Sequence, residues 1–316
     1  MQALVVSQQG APATVTEATE PMIGPGGVLV SVRAAGLNAI DVAVAAGVMA
    51  EMVAHEYPLV IGRDAAGVVT AVGDDVEGLA VGDEVAGTLL FAPPIQAGTV
   101  AEQVVLPATH VVRKPAQLSW EQAAAVPLAG AAAVQAVAGA NVAAGQTVLV
   151  SGATGGVGSY VVQLLAAQDV TVIATATPDD ADRLRRLGAT HVVDWSAGDV
   201  AGQALAHAPQ GVDALIELAN HSVEAAPLAA VRPGGTVSAT TQVMQAADAV
   251  AAAGLQLFGV MVSPTRDVVG PLLERAATGA LEIDVETVLP LEQAAEGLDL
   301  LSRGGARGKI VVRVAA

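Results

Sequence analysis

One short segment constrains this chain more than any other. The apolar run Val148–Ser151 leads directly into Gly152-x-x-Gly155-Gly156-x-Gly158, and a helical pattern follows over 158–168. Residues without a Cβ let the backbone turn tightly and approach a diphosphate closely. The helix that follows then offers unpaired N–H groups and the positive end of its dipole. A glycine trio alone is weak evidence. Set between a strand and a helix at the head of a long α/β run, it predicts a dinucleotide site carried by the main chain of Gly152, Thr154, Gly155, Gly156, Val157 and Gly158. Strands are expected at 170–174, 191–194, 212–218, 236–240 and 255–262, with a helix at 179–187. Continuous apolar strands alternating with helices call for a parallel sheet covered on both faces.

The second strand of that sheet ends at Thr175 and Thr177. An NAD-type site places an acidic residue there, on the ribose 2′-hydroxyl. Its absence removes a charge that would repel a 2′-phosphate, so NADP(H) is favoured and NAD(H) remains open. Thr175, Thr177 and Arg183 are the expected contacts, with Lys309 and Arg307 reaching the phosphates from the C-terminal segment. Asp179, Asp180 and Asp182 weigh on the other side.

Composition closes off other classes. A net charge of -17 argues against nucleic-acid or anionic-membrane partners, both of which want a basic face. With no cysteine there is no disulfide, thiolate nucleophile or cysteine-ligated zinc. The histidines His55, His110, His191, His207 and His221 show no metal-ligand spacing, so no metal site is expected. The uncharged stretch 123–147 is rich in alanine and interrupted by polar residues, which suits a small-residue helix better than a membrane span. The first basic residue is Arg33, so a basic secretory n-region is missing and a cytoplasmic location is expected.

The chain divides by pattern. Residues 1–121 are short Val-rich runs punctuated by glycine turns, as in a β-barrel or sandwich. Residues 122–262 hold the α/β alternation. In 263–316, helices at 267–278 and 291–303 precede a strand at 309–314, which is expected to return to the first domain.

Several segments together resemble the zinc-independent branch of the medium-chain dehydrogenase/reductase family, near quinone oxidoreductases and enoyl reductases. They are Ala34–Asp41, Gly62–Gly73, Gly82–Gly87, Gly98–Glu102, Ala123–Gly130, the loop at 152–158 and Gly308–Val311. The resemblance covers nearly the whole chain. It implies an α/β protein with a GroES-like β-barrel catalytic domain (1–121 and 263–316), a doubly wound Rossmann domain (122–262), a cleft between them, and a homodimer through the edge strand at 255–262. Zinc-dependent relatives carry Gly-His-Glu where this chain has Gly62-Arg63-Asp64, and a ligand cysteine where it has Asn38. A Tyr-x-x-x-Lys pair of the short-chain type is also absent, since Ile61 and Leu164 follow Tyr57 and Tyr160 by four.

Without a Lewis acid, hydride addition to a quinone or an α,β-unsaturated carbonyl is easier than alcohol oxidation, because conjugation spreads the developing charge. Asn38 is the first candidate for the nicotinamide and substrate junction; equally, Asn38 and Asp41 could simply cap the next helix. Asp64 is expected to order its loop rather than react. Polar positions common in quinone reductases are here Ala43, Ala45, Met49 and Ala132. The substrate pocket is therefore expected to be apolar, walled by Met49, Met52 and Phe91, with Tyr57 as candidate proton donor. Two other functions fit the same residues: a redox-inactive cofactor-binding sensor or structural protein, and a specialised biosynthetic enzyme acting on a large apolar substrate.

Overall fold

A computed structural model describes residues 1–89 and 93–315. The chain forms two compact units, residues 1–129 with 264–316, and residues 130–263.

The first unit opens with strands β1 (Gln2–Val6), β2 (Thr14–Glu17) and β3 (Gly27–Leu37), then helix α1 (Ala39–Ala45). Strands β4 (Leu59–Val60), β5 (Asp64–Val72), β6 (Glu84–Thr88), β7 (Gln103–Pro107) and β8 (Val111–Arg113) follow, and helix α2 (Trp120–Ala125). β3 is the spine. It pairs antiparallel with β5 and β7, and its first half alternates as a one-sided strand does, with Val28, Val30 and Val32 fully buried. From Ala34 onward every residue is buried, because α2 covers the second face through Ala123, Ala124 and Ala125. Small side chains on α2 let it sit close. Helix α3 (Pro127–Ala140) starts on a proline, which suits a first helical turn where no N–H partner is needed. The alanine-rich stretch is thus two helices divided at Pro127.

The second unit contains β9 (Thr147–Ser151), α4 (Gly156–Ala166), β10 (Thr171–Ala176), α5 (Ala181–Arg186), β11 (His191–Asp194), α6 (Val200–His207), β12 (Val212–Glu217), β13 (Val231–Ala239), α7 (Ala247–Ala252) and β14 (Gln256–Gly259). The strands make one parallel sheet in the order β11-β10-β9-β12-β13-β14. The inner strands are buried on both faces along most of their length, as their largely apolar runs require. The chain steps outward from β9 to β11 and then returns to the other side of β9 for β12. Ligand crevices in such sheets lie where the order reverses, beyond the carboxyl ends of β9 and its neighbours.

The chain then re-enters the first unit with α8 (Arg266–Ala277), β15 (Val285–Pro290), α9 (Ala294–Ser302) and β16 (Lys309–Arg313). β16 pairs parallel with β15 and antiparallel with β3, with Ile310 opposite Leu37. This return places Lys309 beside the end of β3. β15 has no counterpart in the sequence reading; its residues alternate between half-buried and exposed at a sheet edge, where the apolar signal is weak. Among the described residues no helix is long and apolar enough to cross a membrane.

Candidate active site

β9 ends at Ser151, and the chain turns at Gly152 with φ 77°. It folds back so tightly that a Cβ on Gly158 would strike the Gly152 carbonyl oxygen and come within 2.6 Å of the Ala153 Cα. The open side lies at Gly155, where a Cβ would meet nothing closer than Gly152 O at 3.6 Å. Helix α4 begins just after, and its first intrahelical donor is Ser159 N, 3.0 Å from Gly155 O. The N–H groups of Gly156, Val157 and Gly158 precede that bond, at the positive end of the dipole. A glycine-walled space beside first-turn N–H groups fits a diphosphate.

The loop is held from two sides. From β10, the Thr175 hydroxyl accepts the Gly152 N–H at 3.0 Å, and Thr175 is only 5% exposed. Arg183 donates from both terminal nitrogens to Thr154 O, at 3.2 and 3.3 Å, and lies 4.0 Å from Asp180. Thr177 donates weakly to the same Asp180, at 3.5 Å. Thr175 and Arg183, expected at the 2′-phosphate, here brace the loop itself; Thr177 stays half-buried at the strand end.

From β12, Glu217 is fully buried and accepts the N–H groups of Ala219 and Asn220, at 2.9 and 2.8 Å, and the Asn220 side-chain amide at 2.9 Å. That amide also donates to Ser151 Oγ at 3.1 Å. The turn after β12 is thereby tied to the end of β9. Sequence reasoning missed Glu217, Asn220 and Ser151. The available signal was a carboxylate closing the apolar run Ala214–Ile216.

In the first unit a second cluster forms around Asn38. Asp41 Oδ2 accepts the Asn38 backbone N–H at 2.8 Å at the start of α1. The Asn38 side-chain nitrogen donates to Asp64 Oδ2 at 2.9 Å and, more loosely, to Gly36 O at 3.4 Å. Lys309, expected at the cofactor phosphates, is instead 4% exposed, with its ammonium donating to Asn38 Oδ1 at 2.6 Å and Leu37 O at 2.8 Å. It stands 4.0 Å from Asp64. Asp64 also accepts the Leu128 N–H at 3.1 Å, which fits the ordering role expected of it. Arg63, 2% exposed, donates to Ala97 O at 3.0 Å and has its Nε 3.9 Å from Asp41.

Two carboxylates and two cations are therefore buried together. Burial pushes the Asp41 carboxyl up to about 7, with Arg63 and the Asn38 N–H pulling it back. Burial also raises Asp64, and it lowers Lys309 and Arg63 against the opposing carboxylates.

Tyr57 is half-buried, and its hydroxyl is covered without a hydrogen-bond partner among the described residues. The His55 ring stacks near it, 6.3 Å between centroids, and is fixed through Nδ1 to Val53 O at 2.8 Å. Met49 is half-buried, Met52 is 70% exposed, and Phe91 lies outside the described residues.

Residues 24–116 match the alcohol dehydrogenase GroES-like domain, and residues 187–312 match the zinc-binding dehydrogenase model. The NAD(P)H oxidoreductase RTN4IP1, mitochondrial, of Bos taurus is 30% identical over 338 residues, covering 93% of this chain and 83% of that one. The chain belongs to the medium-chain dehydrogenase/reductase family. The quinone oxidoreductase from Coxiella burnetii superposes on it with a TM-score of 0.90 at 27% identity, over 100% of this chain and 99% of that one. The 2-methylene-furan-3-one reductase of Solanum lycopersicum is 30% identical over 90% of this chain and 71% of its own length. This family member is an NAD(P)H-dependent oxidoreductase on the quinone-oxidoreductase branch, with a GroES-like domain and a Rossmann-type parallel sheet.

Proposed function

We propose that this enzyme reduces conjugated acceptors, quinones or α,β-unsaturated carbonyls, with NADPH and without zinc. The observation that carries this reading is the occupant of the Asn38 corner. A divalent ion there would need Asn38 and Asp64 as ligands, yet both already face the Lys309 ammonium, at 2.6 and 4.0 Å. A second cation beside a buried ammonium would meet strong repulsion. These residues do not fit zinc.

They do fit a dinucleotide. The main chain of Gly152, Thr154, Gly155, Gly156, Val157 and Gly158 would hold its diphosphate, with Thr175 and Arg183 keeping the loop in shape. When bound, the nicotinamide supplies a hydride. For NADPH over NADH, the end of β10 carries the half-buried Thr177 where an NAD-type site would place a carboxylate. Asp180, which follows β10, is buried beside Arg183. Asn38 would orient the reacting groups in a catalytic domain of residues 1–121 and 263–316. Tyr57 holds a phenolic proton free of protein partners among the described residues. Met49 and Met52 would receive the apolar part of the acceptor.

The enzyme would work as a cytoplasmic homodimer. β14 is the edge of its sheet, and Phe258 within it and Met261 just after it are 43% and 76% exposed. NADPH consumption with a panel of benzoquinones, naphthoquinones and enones is the test. Turnover with at least one class is expected. Tight NADPH binding with no turnover across the panel would overturn the reading in favour of a redox-inactive cofactor-binding protein.

A further inference from the structure

We propose that Lys309 is a positioning residue: its ammonium fixes which way the Asn38 amide faces, and so decides which hydrogen Asn38 can offer to a reacting group. This rests on the reading that Asn38 meets the cofactor or substrate.

An asparagine amide can sit in two orientations related by a half-turn. An ammonium has donors and no acceptor, so the group facing it must be Oδ1. An ionised carboxylate has acceptors and no donor, so the group facing it must be Nδ2. Lys309 and Asp64 apply these opposite demands to the same amide, at 2.6 and 2.9 Å. Either alone would bias the orientation, and the two together leave one.

The distances separate positioning from simple charge compensation. Were Lys309 only a counter-ion for the buried Asp64, its shortest contact would be to that carboxylate. Its ammonium is instead 2.6 Å from the Asn38 oxygen and 2.8 Å from the Leu37 carbonyl, but 4.0 Å from Asp64. The remaining Asn38 hydrogen reaches Gly36 O at 3.4 Å, near the limit for a useful bond. With the amide held, an incoming oxygen along that N–H direction can replace the weak Gly36 contact at little cost. β16 delivers the lysine from 271 residues away, opposite the end of the strand that ends just before Asn38.

The test is a double-mutant cycle on the full-length enzyme with NADPH and an acceptor it turns over, reading kcat, KM and NADPH affinity. Lys309→Met is expected to lower kcat by about ten- to a hundredfold, the scale of a misplaced catalytic group. NADPH affinity is expected to stay within about threefold. In an Asn38→Ala background the same change should cost almost nothing more, since the group it positions is gone. Lys309→Gln retains a donor toward Asn38 and Leu37 without the charge. It is expected to recover part of the lost kcat, and it carries the same comparison should Lys309→Met not fold. Equal losses from the lysine change in both backgrounds would overturn the proposal. So would a fall in NADPH affinity larger than the fall in kcat, which would return Lys309 to the phosphates. If Asn38→Ala alone leaves kcat unchanged, the underlying reading of Asn38 fails, separately from the role of Lys309.

Discussion

The glycine loop at 152–158 and the Asn38 corner are built on opposite plans. The loop is main chain within one short stretch, 152–158, and carries no formal charge. Its shape depends on missing side chains, such as the absent Cβ at Gly158 where the Gly152 carbonyl must pass. The corner is made of side chains from the end of β3, from α1, from the start of β5 and from β16, and four of its groups are ionisable and buried. A backbone site tolerates most substitutions but not added bulk. A buried charged site tolerates bulk poorly and lost charge worse, because each ion relies on the others for its solvation. Binding and chemistry are thus expected to fail separately under mutation.

The sharpest way to break that separation is Gly158→Val. The added side chain would collide with Gly152 O and Ala153, so the loop cannot close. NADPH affinity should fall by more than about a hundredfold, as expected when a main-chain anion site is lost. Fluorescence titration of Trp195, which is 55% exposed in the same domain, would measure it. Retained affinity would mean that the diphosphate is held elsewhere.

Thr175→Val has a smaller expected effect. It removes the acceptor for Gly152 N–H while keeping the volume, and one such bond contributes about 1 kcal/mol. NADPH affinity should weaken by about fivefold with kcat unchanged. An equal loss in kcat would show that the loop also sets the geometry of transfer.

The smallest expected effect is a change in pH dependence. Burial holds Asp41 at about 7, above its ordinary 3.8. Between those values the folded chain binds more protons than the unfolded one. This contribution to stability is therefore complete below pH about 4 and is lost as pH rises to about 7. Thermal unfolding across that range should show Asp41→Asn with a flatter fall in Tm than the parent. Asp64, also raised, retains its own part of the slope. An unchanged slope would mean that Asp41 is ionised throughout.

The same contrast explains what could be read in advance. The loop, the alternating strands and helices, and the return of 309–314 to the first domain were legible, because local periodicity and glycine spacing encode them. Asn38 was legible as a candidate, and Asp64 as an organiser of its loop. Their tie to Lys309 was not, because nothing near position 309 indicates which strand it will lie against. The sequence places Lys309 at the cofactor phosphates, and the pairing of β16 with β3 turns it to Asn38. Thr175 and Arg183 were expected as cofactor contacts and not as supports of the loop, since the direction of a side chain at a strand end depends on the neighbouring strand. Glu217 was hidden at the end of β12, where its three donors come from the turn that follows.

The most direct test of the proposed zinc-free hydride transfer is turnover after exhaustive treatment with a strong chelator. NADPH oxidation by a quinone acceptor should proceed at the untreated rate, and added zinc should not increase it. Activity that disappears with the chelator and returns with zinc would contradict a corner in which Lys309 stands where a metal would otherwise be.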